Sequence, residues 1–149
     1  MAAIKHIIFK GKERTGKSLF ANIIFDRTKT LWVDGRKVTP DNHFLLDTGR
    51  EKWDYDFVVI DDPKPTFYIE SFYNMIFCDL LTINRLNREI ENVKMPKFIF
   101  LIDSERVALP DLSLATFNRR FTVLDFDKNT IADLTKLIED EKIIINNHR

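Results

Sequence analysis

Gly11-Lys12-Glu13-Arg14-Thr15-Gly16-Lys17-Ser18 carries the pattern G-x-x-x-x-G-K-[ST] at every fixed position. Glycine has no Cβ, so a turn with glycines at these two places can curl until its main-chain N–H groups point inward. Ahead of the turn, Ile4–Lys10 (IKHIIFK) is a short apolar run that reads as a buried strand. Behind it, Lys17–Phe25 (KSLFANIIF) sets Leu19, Phe20, Ile23 and Ile24 at helical spacing. Strand, curled turn and helix in that order predict a phosphate cradle. The amides from Gly11 through Lys12, Glu13, Arg14, Thr15, Gly16 and Lys17 to Ser18 and Leu19 would line it, and the helix would add its positive end. Only four glycines occur in 149 residues, and two of them occupy the required positions, which argues against a chance match.

Moving outward, Phe57–Ile60 (FVVI) is wholly apolar and ends in Asp61-Asp62-Pro63. The proline stops ordinary strand continuation, so the acids fall at a strand tip. An acid there suits a cation shared with Ser18, and Asp61 is the better placed. Asp62 is the candidate for orienting an attacking water. Phe98–Ile102 (FIFLI) is a third buried-strand candidate, and it runs into Asp103-Ser104-Glu105, candidate sensors of a terminal phosphate. Arg119 and Arg120 stand before a last strand, Phe121–Phe126. An arginine there could stabilise charge at a neighbouring subunit's site, or simply favour a helix C-terminus.

The remaining segments are read more coarsely. Leu31–Val38, with Asp34-Gly35 inside it, signals a hairpin or a strand edge, and His43–Leu46 a short strand. Thr66–Leu86 has helix character from about Ile69 onward, and Pro110–Arg120 reads as a short helix. Asn129 is a candidate cap for a final helix over Ile131–Glu141. The thirteen phenylalanines read as core, and Trp32 and Trp53 either bracket a nucleotide or pack. Strands apolar throughout and separated by helices imply a parallel sheet covered on both faces.

Composition bounds the function. Hydrophobic residues at 44% and charged residues at 31% suit a globular fold. Lys+Arg and Asp+Glu both number 23, so no global field draws the chain to nucleic acid or anionic membrane. Residues 1–50 nevertheless hold 10 basic and 5 acidic side chains. One cysteine, Cys78, excludes an internal disulfide. No run approaches the ~18 residues of a membrane span, and no signal-peptide core opens the chain, so a cytoplasmic setting is expected.

With these elements in order, the chain resembles the AAA+ class of P-loop ATPases, and more narrowly the superfamily 3 helicase domains of viral replication initiators. GKERTGKS resembles their Walker A, FVVIDDP their Walker B, FIFLIDSE the region of motif C, and LATFNRRFTVLDF the segment carrying an arginine pair. Motif C usually closes in Asn, where this chain has Asp103-Ser104-Glu105. The resemblance implies an α/β, three-layer P-loop NTPase with a central, mostly parallel sheet of about five strands, the P-loop strand at its centre, and a reduced or absent lid. It implies a core over 1–127, with a C-terminal helix and tail over 128–149. It further implies ATP and Mg²⁺ as cofactors, Lys17 on the β- and γ-phosphates, and Arg120 or Arg119 acting in trans. The partners it implies are single- or double-stranded DNA and further copies of the chain in a replication-type assembly. In those helicases a DNA-contacting hairpin lies between Walker B and motif C. The matching interval here, Asn84–Lys97, is short and holds Arg85, Arg88, Lys94 and Lys97. Two other readings stay open: a small nucleoside or nucleotide kinase, with Arg85 and Arg88 on its lid, and a nucleotide-binding switch that does not hydrolyse.

Overall fold

The apolar runs on either side of the glycine-bearing turn fold as strands of one parallel sheet. The computed structural model describes residues 5–126 apart from 40, 47, 112 and 113. Five strands, β1 (His6–Gly11), β2 (Thr30–Asp34), β3 (Phe57–Asp61), β6 (Lys97–Asp103) and β7 (Phe121–Asp125), lie in the order β2-β3-β6-β1-β7. Every pairing is parallel. The middle strand is therefore β6, with the strand of the curled turn beside it, and not the reverse.

Alternation along the strands divides the core in two. Ile7, Phe9, Val59, Ile99, Leu101 and Leu124 face α1 (Lys17–Ile24), which buries Phe20, Ala21 and Ile24 against them. Ile8, Val58, Ile60, Phe98, Phe100 and Ile102 face the other way, onto Leu45, Trp53, Ile69, Phe72, Ile76 and Met95. Layers of chain on both faces make the strands apolar throughout, as parallel sheets require. The helix α1 is narrower than its sequence suggests: Leu19 and Ile23 are 61% and 69% exposed, and only Phe20 and Ile24 of the four apolar positions reach the sheet.

Several other expectations are corrected. The Asp34-Gly35 segment is a strand edge and not a hairpin. β2 lies at one edge of the sheet, and it exits into a 3-10 turn, Gly35–Lys37, capped by the Asp34 side chain. His43–Leu45 is likewise a 3-10 turn and not a strand. The stretch Thr66–Leu86 is not one helix. A 3-10 turn (Ile69–Phe72) runs into the single turn of α2 (Tyr73–Ile76), and the chain then enters β4 (Leu80–Ile83), which pairs antiparallel with β5 (Glu91–Lys94). Burial in β4 alternates, with Leu81 and Ile83 inward and Leu80 and Thr82 outward, a period of two that competes with helix. A hairpin thus occupies the interval between β3 and β6. The helix before β7 is α3 (Ala115–Arg120), shorter at its start than Pro110–Arg120. The expected helix at Ile131–Glu141 and the division at 127/128 lie outside the described residues.

Arg85 anchors the hairpin. It is buried, and its guanidinium donates to the carbonyls of Arg50 and Glu51 and to Glu91 Oε2 at 2.6 Å. The N–H of Trp53 donates to the other Glu91 oxygen, and this bond with the Arg85 guanidinium holds the Glu91 carboxyl below its usual range. Arg88 also donates to the Arg50 carbonyl. These two arginines therefore tie the hairpin to the chain preceding β3, which removes Arg85 from the kinase-lid role. Trp53 is packed in the core with its indole N–H on the Leu45 carbonyl, so it brackets no ligand.

His6, at the start of β1, is fully buried among Phe77, Phe98 and Phe121. Its Nδ1 accepts from the Phe98 N–H at 2.9 Å, so Nε2 carries the proton and donates to the Ile76 carbonyl at 2.8 Å. Burial disfavours the imidazolium and lowers the pKa to about 4, outweighing the Ile76 bond. Because the folded value lies below the unfolded one, the unfolded chain takes up the proton first. The contribution is whole above pH ~6.5 and is lost as pH falls toward 4. The loss approaches about 3 kcal/mol. Urea unfolding followed across that window is expected to show this decline. His6→Phe is expected to start less stable, with the Phe98 N–H and Ile76 carbonyl left without partners, and to decline less over the same window.

Candidate functional site

The parallel register decides which tips meet. Gly11 at the end of β1 lies opposite Asp103 at the end of β6, and Asp61 at the end of β3 lies opposite Leu101. Three polar strand ends therefore open on the same edge of the sheet, where α/β folds bind ligands.

The turn itself is built as its glycines require. Gly16 has φ +92°, in the left-handed region, and no atom lies within 4 Å of where a Cβ would stand. Its requirement is therefore backbone conformation and not space. Arg14, with φ +65°, is a second left-handed residue in the turn. Lys17 reaches back across the loop, its Nζ donating to the carbonyls of Gly11 (2.9 Å) and Lys12 (2.7 Å) and to Thr15 Oγ1 (3.3 Å). Thr15 Oγ1 donates in turn to the Lys12 carbonyl. The side chains of Lys12, Glu13 and Arg14 are exposed, so the turn's inner wall is main chain and the Lys17 ammonium. Leu19, the third residue of α1, also directs its side chain to solvent, which leaves only its main chain for a ligand.

Ser18 and Asp61 are brought together as the sequence predicts: Ser18 Oγ donates to Asp61 Oδ1 at 3.1 Å. A hydroxyl and a carboxylate oxygen in contact form a hard-oxygen set that fits Mg²⁺, a cation that binds few protein ligands and takes the rest from phosphate and water. Among the described residues no cluster of three His, Cys, Asp or Glu could hold a metal alone. The other Asp61 oxygen accepts from the indole N–H of Trp32 at 3.2 Å. The adjacent Asp62 is exposed and left-handed, with φ +58°, where its short polar side chain is tolerated.

The third tip is stitched to the first. The Ser104 N–H donates to the Gly11 carbonyl at 3.0 Å, while Asp103, buried, accepts the Glu105 N–H on Oδ1 at 3.0 Å. Asp103 and Ser104 thus adjoin the turn, and the Glu105 side chain is exposed. Arg119 and Arg120 are elsewhere. They end α3 just before Phe121, which pairs with His6 at the opposite edge of the sheet. Five strand residues, about 16 Å, separate that level from Gly11. The Arg120 guanidinium sits over the Phe77 ring at 4.6 Å, whereas Arg119 is exposed.

No protein-family model and no curated protein sequence matches the chain. Two of the solved structures that resemble it serve for comparison. One is an apo form of the C-terminal region of NrS-1, at 19% identity and a TM-score of 0.51, over 91% of this chain and 34% of that one. The other is JCV helicase bound to a thiazolopyridinyl-phenoxyphenyl acetamide, at 16% identity and a TM-score of 0.56, over 93% of this chain and 41% of that one. This chain has a helicase-like fold. It spans less than half the length of either of these structures. Among the described residues of the helicase-like fold, no helix is long and apolar enough to cross a membrane.

Two contacts of the site escaped sequence reasoning. The sequence leaves Trp32 open between bracketing a nucleotide and packing, and its bond to Asp61 shows only in its pairing two residues before the Asp34–Asp61 pair. Gly35 was legible as a turn but not as a contact. A Cβ there would stand 2.6 Å from the Pro63 nitrogen, 2.7 Å from the Asp61 oxygen and 2.8 Å from the Asp62 carbonyl carbon, all main chain. Nearby, the Arg36 side chain and N–H hold the Asp34 carboxyl below its usual range, and Arg36 also feels the charge of Asp62. Gly35→Ala is expected to displace the turn at 61–63 and to cost about 1–3 kcal/mol, read as a lower unfolding midpoint.

Proposed function

We propose that the chain binds ATP with Mg²⁺ at this sheet edge and hydrolyses it, working on nucleic acid as one subunit of an oligomer. The observation that carries the reading is the Ser18–Asp61 contact beside a curled turn that holds Lys17. A lone glycine-bearing turn could be a surface loop. One whose following hydroxyl meets a carboxylate from a distant strand has the parts of a nucleotide site.

The roles follow from position. The turn amides and Lys17 hold the phosphates, and Ser18 and Asp61 hold the cation. Mg²⁺, when bound, neutralises charge developing on the terminal phosphate. Asp62 orients the attacking water and accepts its proton, and Asp103 and Ser104 sense the terminal phosphate. Arg119 and Arg120 stand too far from their own turn to reach it, so a role in catalysis needs a second copy. Arg119 is the better of the two, because Arg120 is occupied over Phe77. The hairpin, with Arg88 and Lys94 on its surface, is the nucleic-acid element.

Phosphate release measured against protein concentration, with and without single-stranded DNA, tests the reading. Turnover is expected to rise cooperatively with concentration. Lys17→Ala should abolish it, and Arg119→Ala should lower it by about 10³-fold while ATP binding persists. Undiminished turnover in Lys17→Ala would reject the site. Transfer of the phosphate to a nucleoside or nucleotide would replace the ATPase with a kinase.

A further inference from the structure

Asp61 is held at both carboxylate oxygens, by Ser18 on Oδ1 and by the Trp32 indole on Oδ2. The second partner comes from the neighbouring strand. Trp32 pairs with Val59, two residues short of Asp61 and on the same face of the sheet. An indole N–H donates and accepts nothing, so it can orient a carboxylate without competing for a cation. The ring is half-buried against the core beneath α1. Its packed side and its bond to Oδ2 together hold the N–H toward the carboxylate. The carboxylate that meets it loses the freedom to turn about its last bond.

We propose that Trp32 is a positioning residue for the cation site. Its N–H fixes Oδ2 so that Oδ1 stays turned toward Ser18, where the two oxygens present one face to Mg²⁺. The inference rests on reading this edge as a nucleotide–Mg²⁺ site, and it names the residue that tunes that site's hold on the metal. Hydrogen-bond partners that orient a metal ligand commonly change metal affinity by about 10- to 100-fold when removed.

Calorimetric titration of ADP, in EDTA and then at rising Mg²⁺, reads the nucleotide and the cation separately. Trp32→Phe keeps a ring and loses the donor. It is expected to bind ADP like the wild type in EDTA, but to need about tenfold more Mg²⁺ for half of the metal-dependent gain. With Asp61→Asn already present, Trp32→Phe is expected to add no further change in Mg²⁺ requirement, an outcome that general loosening of the fold would not produce. A folded Trp32→Phe protein with the wild-type Mg²⁺ requirement overturns the inference and leaves the nucleotide reading intact. Wild-type protein that binds no ADP overturns that reading, and the inference falls with it. A second measurement needs no change at residue 32. Trp53→Phe leaves Trp32 as the single tryptophan, and its emission is expected to shift when Mg²⁺ joins the ADP-loaded protein. Emission indifferent to Mg²⁺ counts against the proposal.

Discussion

Ser18 Oγ and Asp61 Oδ1 stand 3.1 Å apart although 43 positions separate them in the chain, and the register of a parallel sheet brings them there. Strand β6 lies between β1 and β3 and pairs with both, so it fixes the height of each tip relative to the other. The short helix α1 then carries Ser18 from the end of β1 toward the end of β3. A one-residue slip in either pairing would swap the side chains between the two packed layers, because the strand period is two. Burial of both faces therefore specifies the polar edge as well as the core.

Much of this was legible because the relevant signals are local. The turn from Gly11 to Ser18 needs glycine at a left-handed position, and Gly16 adopts that conformation. Runs such as FVVI and FIFLI can bury every residue only between two layers, and they do so. The break of the expected helix at Thr66–Leu86 into short turns and β4 was hidden for a physical reason. Aromatic density from Phe67 to Phe77 fits a helix face as well as a lid over the sheet, and the tertiary surface decides between them. Phe67 and Phe72 pack on each other, and Phe67 reaches Phe100 of β6. The exposed Leu19 and Ile23 mark the same limit: helical spacing gives a face, but not which part of it meets the sheet.

Buried polar groups show a similar division. His6 and Arg85 each bond to main chain far away, at Ile76 and Phe98 for one and at Arg50 and Glu51 for the other. Such partners are invisible before the fold is known, because a main-chain N–H or carbonyl carries no residue identity. Trp32 belongs with them. Its role comes from a pairing across strands, and the letter W in a half-apolar strand gives no hint of it.

Gly35 joins two strand exits backbone to backbone. Side-chain contacts absorb small displacements by changing rotamer, whereas main-chain contacts have no such slack. The segment bearing Arg36 and Lys37 is thus geared to the peptide units around Asp61 and Asp62. A pull on that basic turn would arrive at the acidic tip almost undamped, as through a rigid lever.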